Sequence, residues 1–411
     1  MTSLALDAEP ACPGGPSEPN LPETDKPAER APLEVQQRSL DSIPRDAWDE
    51  LAQATPWATP FSDWAFHRAW WDAYGANAHE QTLVVCRRAA SRPLAIVPLM
   101  HRHEVEDTDE QTRSTMRHGG PTTLTPVPPS AKAVFFGATY HADYATILAP
   151  PEVLPEVAEA IVGHLAAPPS PFDPHPSPWD VVDLRRLRCG DPAADALATA
   201  FGRREIAEGW TLNVEREDVC PVAYLPDGGS FDDYLATLGK KDRHEIRRKI
   251  RRAEAAGDVA LTDSPDPLGD LDEFIDLHQR RWGEKGLFPP TPGGVASRTF
   301  VRRLLEEYGR DGPVRLAFLT VGDRRIAAGM HFETGGGYLY YNAGVDPEAR
   351  ELSPGVVMIA EYVKRAIAQG KRRLDFLRGD EAYKYEWAAV DEPIQRLLVR
   401  RDAARLEAGG R

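Results

Sequence analysis

Leu374-Asp375-Phe376-Leu377-Arg378-Gly379-Asp380-Glu381-Ala382-Tyr383-Lys384-Tyr385-Glu386-Trp387 is the stretch on which the fold turns. It enters as a buried-type strand, Arg373 to Leu377, broken by one carboxylate, Asp375, and leaves through Arg378-Gly379. The carboxyl end of such a strand is where open α/β sheets collect ligands. Past the exit, Lys384 stands among Tyr383, Tyr385 and Trp387. A lysine so placed either neutralises an oxyanion or phosphate, or snorkels beside a pairing carboxylate.

Upstream of this strand the periods are regular. Gly355 to Gln369 has helical spacing, and Gly370 ends it in the left-handed manner of a C-terminal cap. Before it come three strands, Val314–Val321, Ile326–Glu333 and Tyr338–Val345, joined by Gly322-Asp323-Arg324 and Gly335-Gly336-Gly337. Before these lie helices: Ser297 to Tyr308, and an amphipathic one entered through Pro267 with Leu271, Phe274, Ile275, His278 and Trp282 on one face. Ser230 caps a further helix, with Asp233 at the capping-box position. Lys240 to Ala256 forms a basic helix whose apolar seam is only Ile246, Ile250 and Ala253.

The N-terminal half runs in the same order. Phe61 to Tyr74 is an aromatic-faced helix with Ser62 as its cap, and Thr82–Cys86 and Leu94–Leu99 make a hairpin. A helix from Glu152 to Leu165 leads to the strand Trp179–Leu184, again with an internal carboxylate, Asp183. The fold class is therefore α/β (α+β), two copies of one unit, each a mixed, mostly antiparallel sheet flanked by helices; two unrelated α+β halves are the alternative. The expected layout is a disordered tail 1–34, units 35–215 and 216–400, and a short tail 401–411. A polar loop from His101 to Lys132 and a proline-rich segment, Ala167–Pro178, interrupt the first unit.

Bulk properties narrow the function. Over 411 residues the net charge is −15, which opposes DNA or anionic membranes as general partners. The four cysteines have no metal-ligand spacing, so neither a structural metal nor a disulfide framework is expected. With no signal-like N-terminus and no span of roughly 18 apolar residues, a soluble cytoplasmic protein is expected.

Three features carry chemistry. Ser353-Pro354-Gly355, followed by Val356, opens a helix whose first N–H groups and dipole attract phosphate, unless it is an ordinary capped helix. The basic helix offers Arg247 and Arg248 as phosphate forks, or as a solvated face. On the second strand of the sheet His331 and Glu333 share a face, and Glu333 is either a general base or an edge carboxylate in water.

The pattern Asp-Phe-x-x-Gly-x-x-x-Tyr-Lys-x-x-Trp, at Asp375, Phe376, Gly379, Tyr383, Lys384 and Trp387, resembles the closing motif of the CelD/BioF2-like acetyltransferase family. That family lies in the GNAT superfamily and is related to the FemAB peptidyltransferases. Further landmarks follow in order: Thr59-Pro60-Phe61 with Trp64 and Trp70-Trp71, Pro98-Leu99, Asp143-Tyr144, His278 with Arg281-Trp282, and Ser353-Pro354-Gly355. The resemblance implies tandem GNAT-like units with acyl transfer to an amine in the second. Acetyl-CoA or another acyl-CoA would be the donor, and a small amine or amino sugar the acceptor, without a metal. It favours Lys384, part of an aromatic-Lys pair, as a contact to the reacting group or a phosphate; by position, Lys384, Glu333 and Asp375 are the catalytic candidates, and Ser353, Gly355, Val356, Arg247 and Arg248 the donor contacts. His278, Arg281, Trp282, Arg378 and Tyr383 are the implied acceptor contacts. One departure is the phosphate loop, since Arg350-Glu351-Leu352-Ser353-Pro354-Gly355 matches the GNAT pattern only in part. The relatives that take aminoacyl groups from charged tRNA are a second reading. Overall acidity and the lack of a long helical hairpin between Phe231 and Gly312 argue against it. A non-catalytic binding protein on the same fold is a third.

Overall fold

A strand apolar along its whole length must be covered on both faces, and the central strands of this chain are of that kind. The structure, a computed structural model, describes residues 31–90, 92–102, 124–128, 130–167 and 179–401. Most of the expected N-terminal tail, most of the polar loop after His101, the proline-rich segment beyond Ala167 and the chain after Arg401 lie outside the described residues.

In chain order the elements are β1 (Leu33–Gln37), α1 (Arg45–Ala54), α2 (Trp64–Tyr74), β2 (Ala78–Glu80), β3 (Leu83–Arg87), β4 (Ala95–Val97), β5 (Leu99–Arg102) and β6 (Ala133–Phe136). Next come α3 (Leu154–Ala166), β7 (Val181–Arg188), α4 (Pro192–Glu208) and β8 (Thr211–Tyr224). The C-terminal half has α5 (Phe231–Thr237), α6 (Lys240–Ala256), β9 (Val259–Asp263), α7 (Leu271–Trp282), α8 (Pro292–Tyr308), β10 (Val314–Val321), β11 (Arg324–Glu333) and β12 (Gly337–Val345). It closes with α9 (Pro354–Ala368), β13 (Arg373–Asp375), α10 (Ala382–Tyr385) and β14 (Val390–Arg400).

Among the described residues, eleven strands form one sheet in the order β2-β5-β6-β7-β14-β8-β13-β12-β11-β10-β9, and β1-β3-β4 form a small second sheet. Each half contains an antiparallel pair, a crossover helix and a parallel strand: β5-β6-α3-β7 and β11-β12-α9-β13. The halves are joined by exchange. β8, which follows the first unit, pairs with β13 of the second, and β14, which follows β13, pairs with β7 of the first. β8 and β14 then pair with each other from Val390↔Val222 to Arg400↔Thr211. Both parallel strands thereby gain a second neighbour, and no open edge is left between the halves. Neither exchanged strand, nor α4, was among the elements read from periodicity.

The halves also share a core. Phe66, Trp70 and Tyr74 of α2 pack with Phe274, Phe300 and Leu304 of α7 and α8 over Met330 and Phe332. The other face is covered by α5, α6 and α9, with Ile246, Val357, Met358 and Tyr362 against Tyr338 and Leu374. Along β12, Leu339 and Tyr341 belong to the first core, Tyr338 and Tyr340 to the second. The basic helix keeps the bounds and the narrow seam read from sequence, and Ser230 and Asp233 form the capping box.

Two local readings are corrected. Ser62 does not cap α2; Asp63 takes the N-cap position without a side-chain cap bond, because its carboxylate accepts from the Tyr308 hydroxyl at 2.9 Å instead. The last parallel strand ends at Asp375, not Leu377, because Leu377 is in the left-handed region with φ 58°.

Candidate active site

β12 and β13 run together through Gly337↔Arg373, Tyr338↔Leu374 and Leu339↔Asp375, then part. The cause is the exit of β13. After Asp375 the chain stays on β8, with Phe376 N bonded to Pro221 O and Gly379 N to Val219 O, each at 3.0 Å. Among the described residues, β12 continues to Val345 with only β11 beside it in the sheet. A wedge opens between Tyr340–Val345 on one wall and residues 376–379 on the other.

Lys384 builds the second wall. Its Nζ donates to the carbonyls of Leu377, Arg378 and Gly379 at 3.0, 3.0 and 2.8 Å, and lies 2.9 Å from a Glu381 carboxylate oxygen. Lys384 is only 2% exposed, and these acceptors commit its charge to the loop. Asp375 is fully buried at the apex. It accepts from the Leu377 amide at 2.9 Å and the Tyr144 hydroxyl at 2.9 Å, with Arg373 3.0 Å away. Burial pushes its carboxyl up, against the pull of Arg373. Cys220 lies beside it, and burial and the neighbouring Asp375 push the thiol well up, which keeps it protonated and inert.

The outer part of the wedge is aromatic. The Trp282 indole donates to the Ala343 carbonyl at 3.3 Å, on the β12 edge, and the Arg281 guanidinium lies 5.1 Å from its ring centre. Phe376 stands 6.2 Å from Tyr340 and 6.1 Å from Tyr383. Trp282 and Tyr383 are 44% and 41% exposed, unusual for such side chains. His278 packs under β12, where only glycine fits opposite it: a Cβ on Gly344 would lie 2.3 Å from the His278 amide. Burial lowers the His278 pKa to about 4, so the ring is neutral, against bonds to Gln279 and Asn342.

The first turn of α9 lies beyond Val345. Ser353 is left-handed with φ 55° and makes no side-chain cap bond, and the turn contains no acidic residue. A Cβ on Gly355 would meet only the Val345 side chain, at 3.9 Å, so the space over this turn is open. From the basic helix it is Arg252 that reaches this region, donating to Glu351 O at 2.9 Å. Arg247 pairs with Asp232 and Arg248 with Glu245 on the surface.

The N-terminal half closes the wedge from below. Residues 138–144 bring His141 under β12 and Asp143 to Arg378, where the ion pair is 3.0 Å. Of the residues anticipated from sequence, Asp375, Lys384, Arg378, Tyr383, His278, Arg281 and Trp282 gather around the wedge, with Ser353, Gly355 and Val356 beyond its β12 wall. Glu333 is not brought there. It sits at the closed end of the β12–β13 ladder, 3.2 Å from Lys371. His331 is buried on the α9 side, bonded to the Tyr362 hydroxyl at 2.9 Å. The sequence reading did not single out His141, and took Tyr74 and Ser297 only as helix residues; the one signal nearby was the Asp143-Tyr144 landmark.

Among the described residues no helix is long and apolar enough to cross a membrane, and no group of three His, Cys, Asp or Glu side chains gathers as metal ligands would. Residues 240–385 match the family model described as an acetyltransferase (GNAT) domain. Among solved structures the chain is similar to FemX, with 9% identity over 88% of this chain and 96% of that one and a TM-score of 0.54. It is also similar to the C-terminal domain of a putative lysylphosphatidylglycerol synthetase from Agrobacterium fabrum (10% identity, 89% and 93% coverage, TM-score 0.45). A third is a tandem GNAT protein from the clavulanic acid biosynthesis pathway (12%, 89% and 98%, TM-score 0.41). No curated protein matches the sequence. Residues 240–385 thus resemble a GNAT acetyltransferase domain, and the FemX likeness is one of overall fold.

Proposed function

We propose that this chain is an N-acyltransferase of the CelD/BioF2-like kind, moving an acyl group from an acyl-CoA thioester to a small amine or amino sugar. The observation that carries the reading is the wedge itself. β12 is released from β13 after Leu339 and presents a strand edge along which an extended, amide-bearing donor arm can pair. The edge runs toward the acid-free first turn of α9, whose dipole and Gly355 amide suit a pyrophosphate, with Arg252 alongside; the Val356 and Val357 amides bond back to the Ser353 carbonyl. Ser353, Gly355 and Val356 would hold the phosphates, and Trp282, Arg281 and Tyr383 would line the outer wedge.

The amine attacks the thioester carbonyl carbon, a C–N bond forms, and the C–S bond breaks with its electron pair passing to sulfur. One amine proton must be taken up and one proton supplied to the thiolate. Lys384 and Asp375 act as positioning residues in this scheme: they fix the left-handed exit loop, Lys384 by its carbonyls and Asp375 by the Leu377 amide, so that the wedge stays open. Arg378, anchored on Asp143, faces the acceptor side.

Calorimetric titration with acetyl-CoA, followed by thiol release over a panel of amines including amino sugars, tests the proposal. Micromolar to millimolar binding with amine-dependent thiol release is the expected result. No heat of binding at millimolar acetyl-CoA, with strongly salt-dependent binding of charged tRNA in its place, would overturn the acyl-CoA assignment.

A further inference from the structure

We propose that the proton leaving the acceptor amine is taken by His141 through the hydroxyl of Tyr341, so that the N-terminal half supplies the base for a site in the C-terminal half. The assignment rests on the acyl-transfer reading above. A tight turn after β6 makes it sterically possible: Ala138 is left-handed (φ 60°), and the His141 and Ala142 amides both bond back to its carbonyl, at 3.1 and 2.9 Å. The turn lifts His141 out of the sheet and against Phe300, where the two rings stack at 4.0 Å and 11°. Its orientation is therefore fixed before any ligand arrives.

Both ring nitrogens are engaged. Nδ1 is 3.2 Å from the Tyr341 hydroxyl, and Nε2 is 2.9 Å from the Tyr74 hydroxyl, which is 3.0 Å from Ser297 Oγ. The Tyr341 hydroxyl also reaches the His141 carbonyl at 3.0 Å, so its single proton has two acceptors on one residue. With that proton turned to Nδ1, Nε2 carries the ring hydrogen and gives it to Tyr74, whose own proton goes to Ser297. A proton arriving at the Tyr341 oxygen then displaces the phenolic proton onto Nδ1. The imidazolium formed donates to Tyr341 on one side and Tyr74 on the other, and no donor is left unmatched.

Exposure gives the relay a direction. His141, Tyr74 and Ser297 are 6%, 2% and 0% exposed, whereas Tyr341 is only partly covered. Tyr341 also lies two residues past the last β12–β13 pair, on the face toward the N-terminal half. The charged and titratable groups facing this hydroxyl are Asp143, Arg378, Tyr74 and Tyr140. Asp143 and Arg378 are paired with each other, which leaves the His141 imidazole, 3.2 Å away through Nδ1, as the proton acceptor at this hydroxyl. In the step, the amine nitrogen bonds to the thioester carbon, the C–S electron pair goes to sulfur, and the amine proton passes by Tyr341 to Nδ1. The same path returns it to the thiolate, giving amide and free thiol.

The test uses the full chain with acetyl-CoA and whichever amine the panel identifies. In H141Q and in Y341F, kcat is expected to fall about 100-fold or more. Acetyl-CoA affinity by calorimetry should stay within twofold, and the acidic limb of the kcat/KM profile should vanish in H141Q. Added imidazole should restore part of the rate in H141A. If H141Q does not fold, Y341F, which keeps the stacked ring, decides by rate and donor affinity. Rates within threefold of wild type in both variants, with an unchanged pH profile, overturn the relay alone. A wild-type chain that binds no acetyl-CoA overturns the acyl-CoA reading and the relay with it.

Discussion

The two crossover helices begin in opposite ways, and so do the two wedges beside them. α3 enters through Pro151-Glu152-Val153, with Val153 and Leu154 buried and Glu156 in its first turn, held by Arg87. α9 enters through Ser353-Pro354-Gly355, with open space and no carboxylate. The parallel ladders match to the residue, since Phe135↔Asp183 and Leu339↔Asp375 are each the third pair. Yet Asp183 is locked by Arg396, with hydrogen bonds at 2.6 and 2.8 Å, and its carboxyl is held below the usual range by Arg185 and Arg396 against burial. Arg396 lies two residues before Leu398, the β14 partner of Asp183; two residues before Val222, the β8 partner of Asp375, lies Cys220. The first aspartate is held by Arg396 from β14 and by Arg185, whereas the second is held by Arg373 and the Tyr144 hydroxyl, with the small thiol of Cys220 at the position of Arg396. The same ladder position thus carries a carboxylate paired with arginines in one half and a carboxylate shared between an arginine and a tyrosine in the other.

The largest test of that contrast is Arg396→Ala. It takes the buried guanidinium away from Asp183, which keeps only Arg185, and from Glu215, and about 3 kcal/mol of stability is expected to go in urea unfolding. Acetyl-CoA affinity should stay within about twofold by calorimetry; a tenfold loss would mean that the first wedge is functional.

Next in size is the acid response. The folded-state pKa of His278 is lowered to about 4, below an unfolded value near 6.5. Its contribution to stability is therefore complete above about pH 6.5 and is lost as pH falls toward 4, up to about 3 kcal/mol. H278Q should flatten that part of the urea-midpoint profile. His67, in the N-terminal half and lowered to about 3 by burial alone, should leave a residual slope extending further into acid. An H278Q profile identical to wild type would contradict the buried, neutral ring.

Gly355→Asp makes α9 begin as α3 does, with a carboxylate in its first turn. Acetyl-CoA binding is expected to weaken about tenfold, roughly 1.4 kcal/mol, with unfolding little changed. The mirror change, Glu156→Gln, should leave donor binding untouched. The smallest effects are expected at Arg247 and Arg248, whose partners are exposed surface carboxylates. Alanine at either position should alter acetyl-CoA affinity by less than about twofold, because such pairs contribute little. A larger effect would move the phosphate contact from Arg252 to the outer face of the basic helix.

What the sequence by itself determined here is local and periodic. The three-strand meander, the crossover helix, the capping box at Ser230 and Asp233 and the seam of the basic helix follow from spacing, because each depends on residues a few positions apart. So does the matched pair Asp183 and Asp375, legible as a carboxylate inside an apolar strand. Only the tertiary structure decided what those carboxylates do, since Arg396 and Tyr144 reach them from more than 200 residues away. The exchange of β8 and β14 left no periodic trace that marked which strand would lie beside which. Lys384 was marked by its aromatic neighbours, but the three carbonyls that hold it exist only because Leu377 and Gly379 turn left-handed. His141 had only the Asp143-Tyr144 landmark beside it: its chemistry comes from Tyr341, Tyr74 and Phe300, which long-range packing alone brings to its ring.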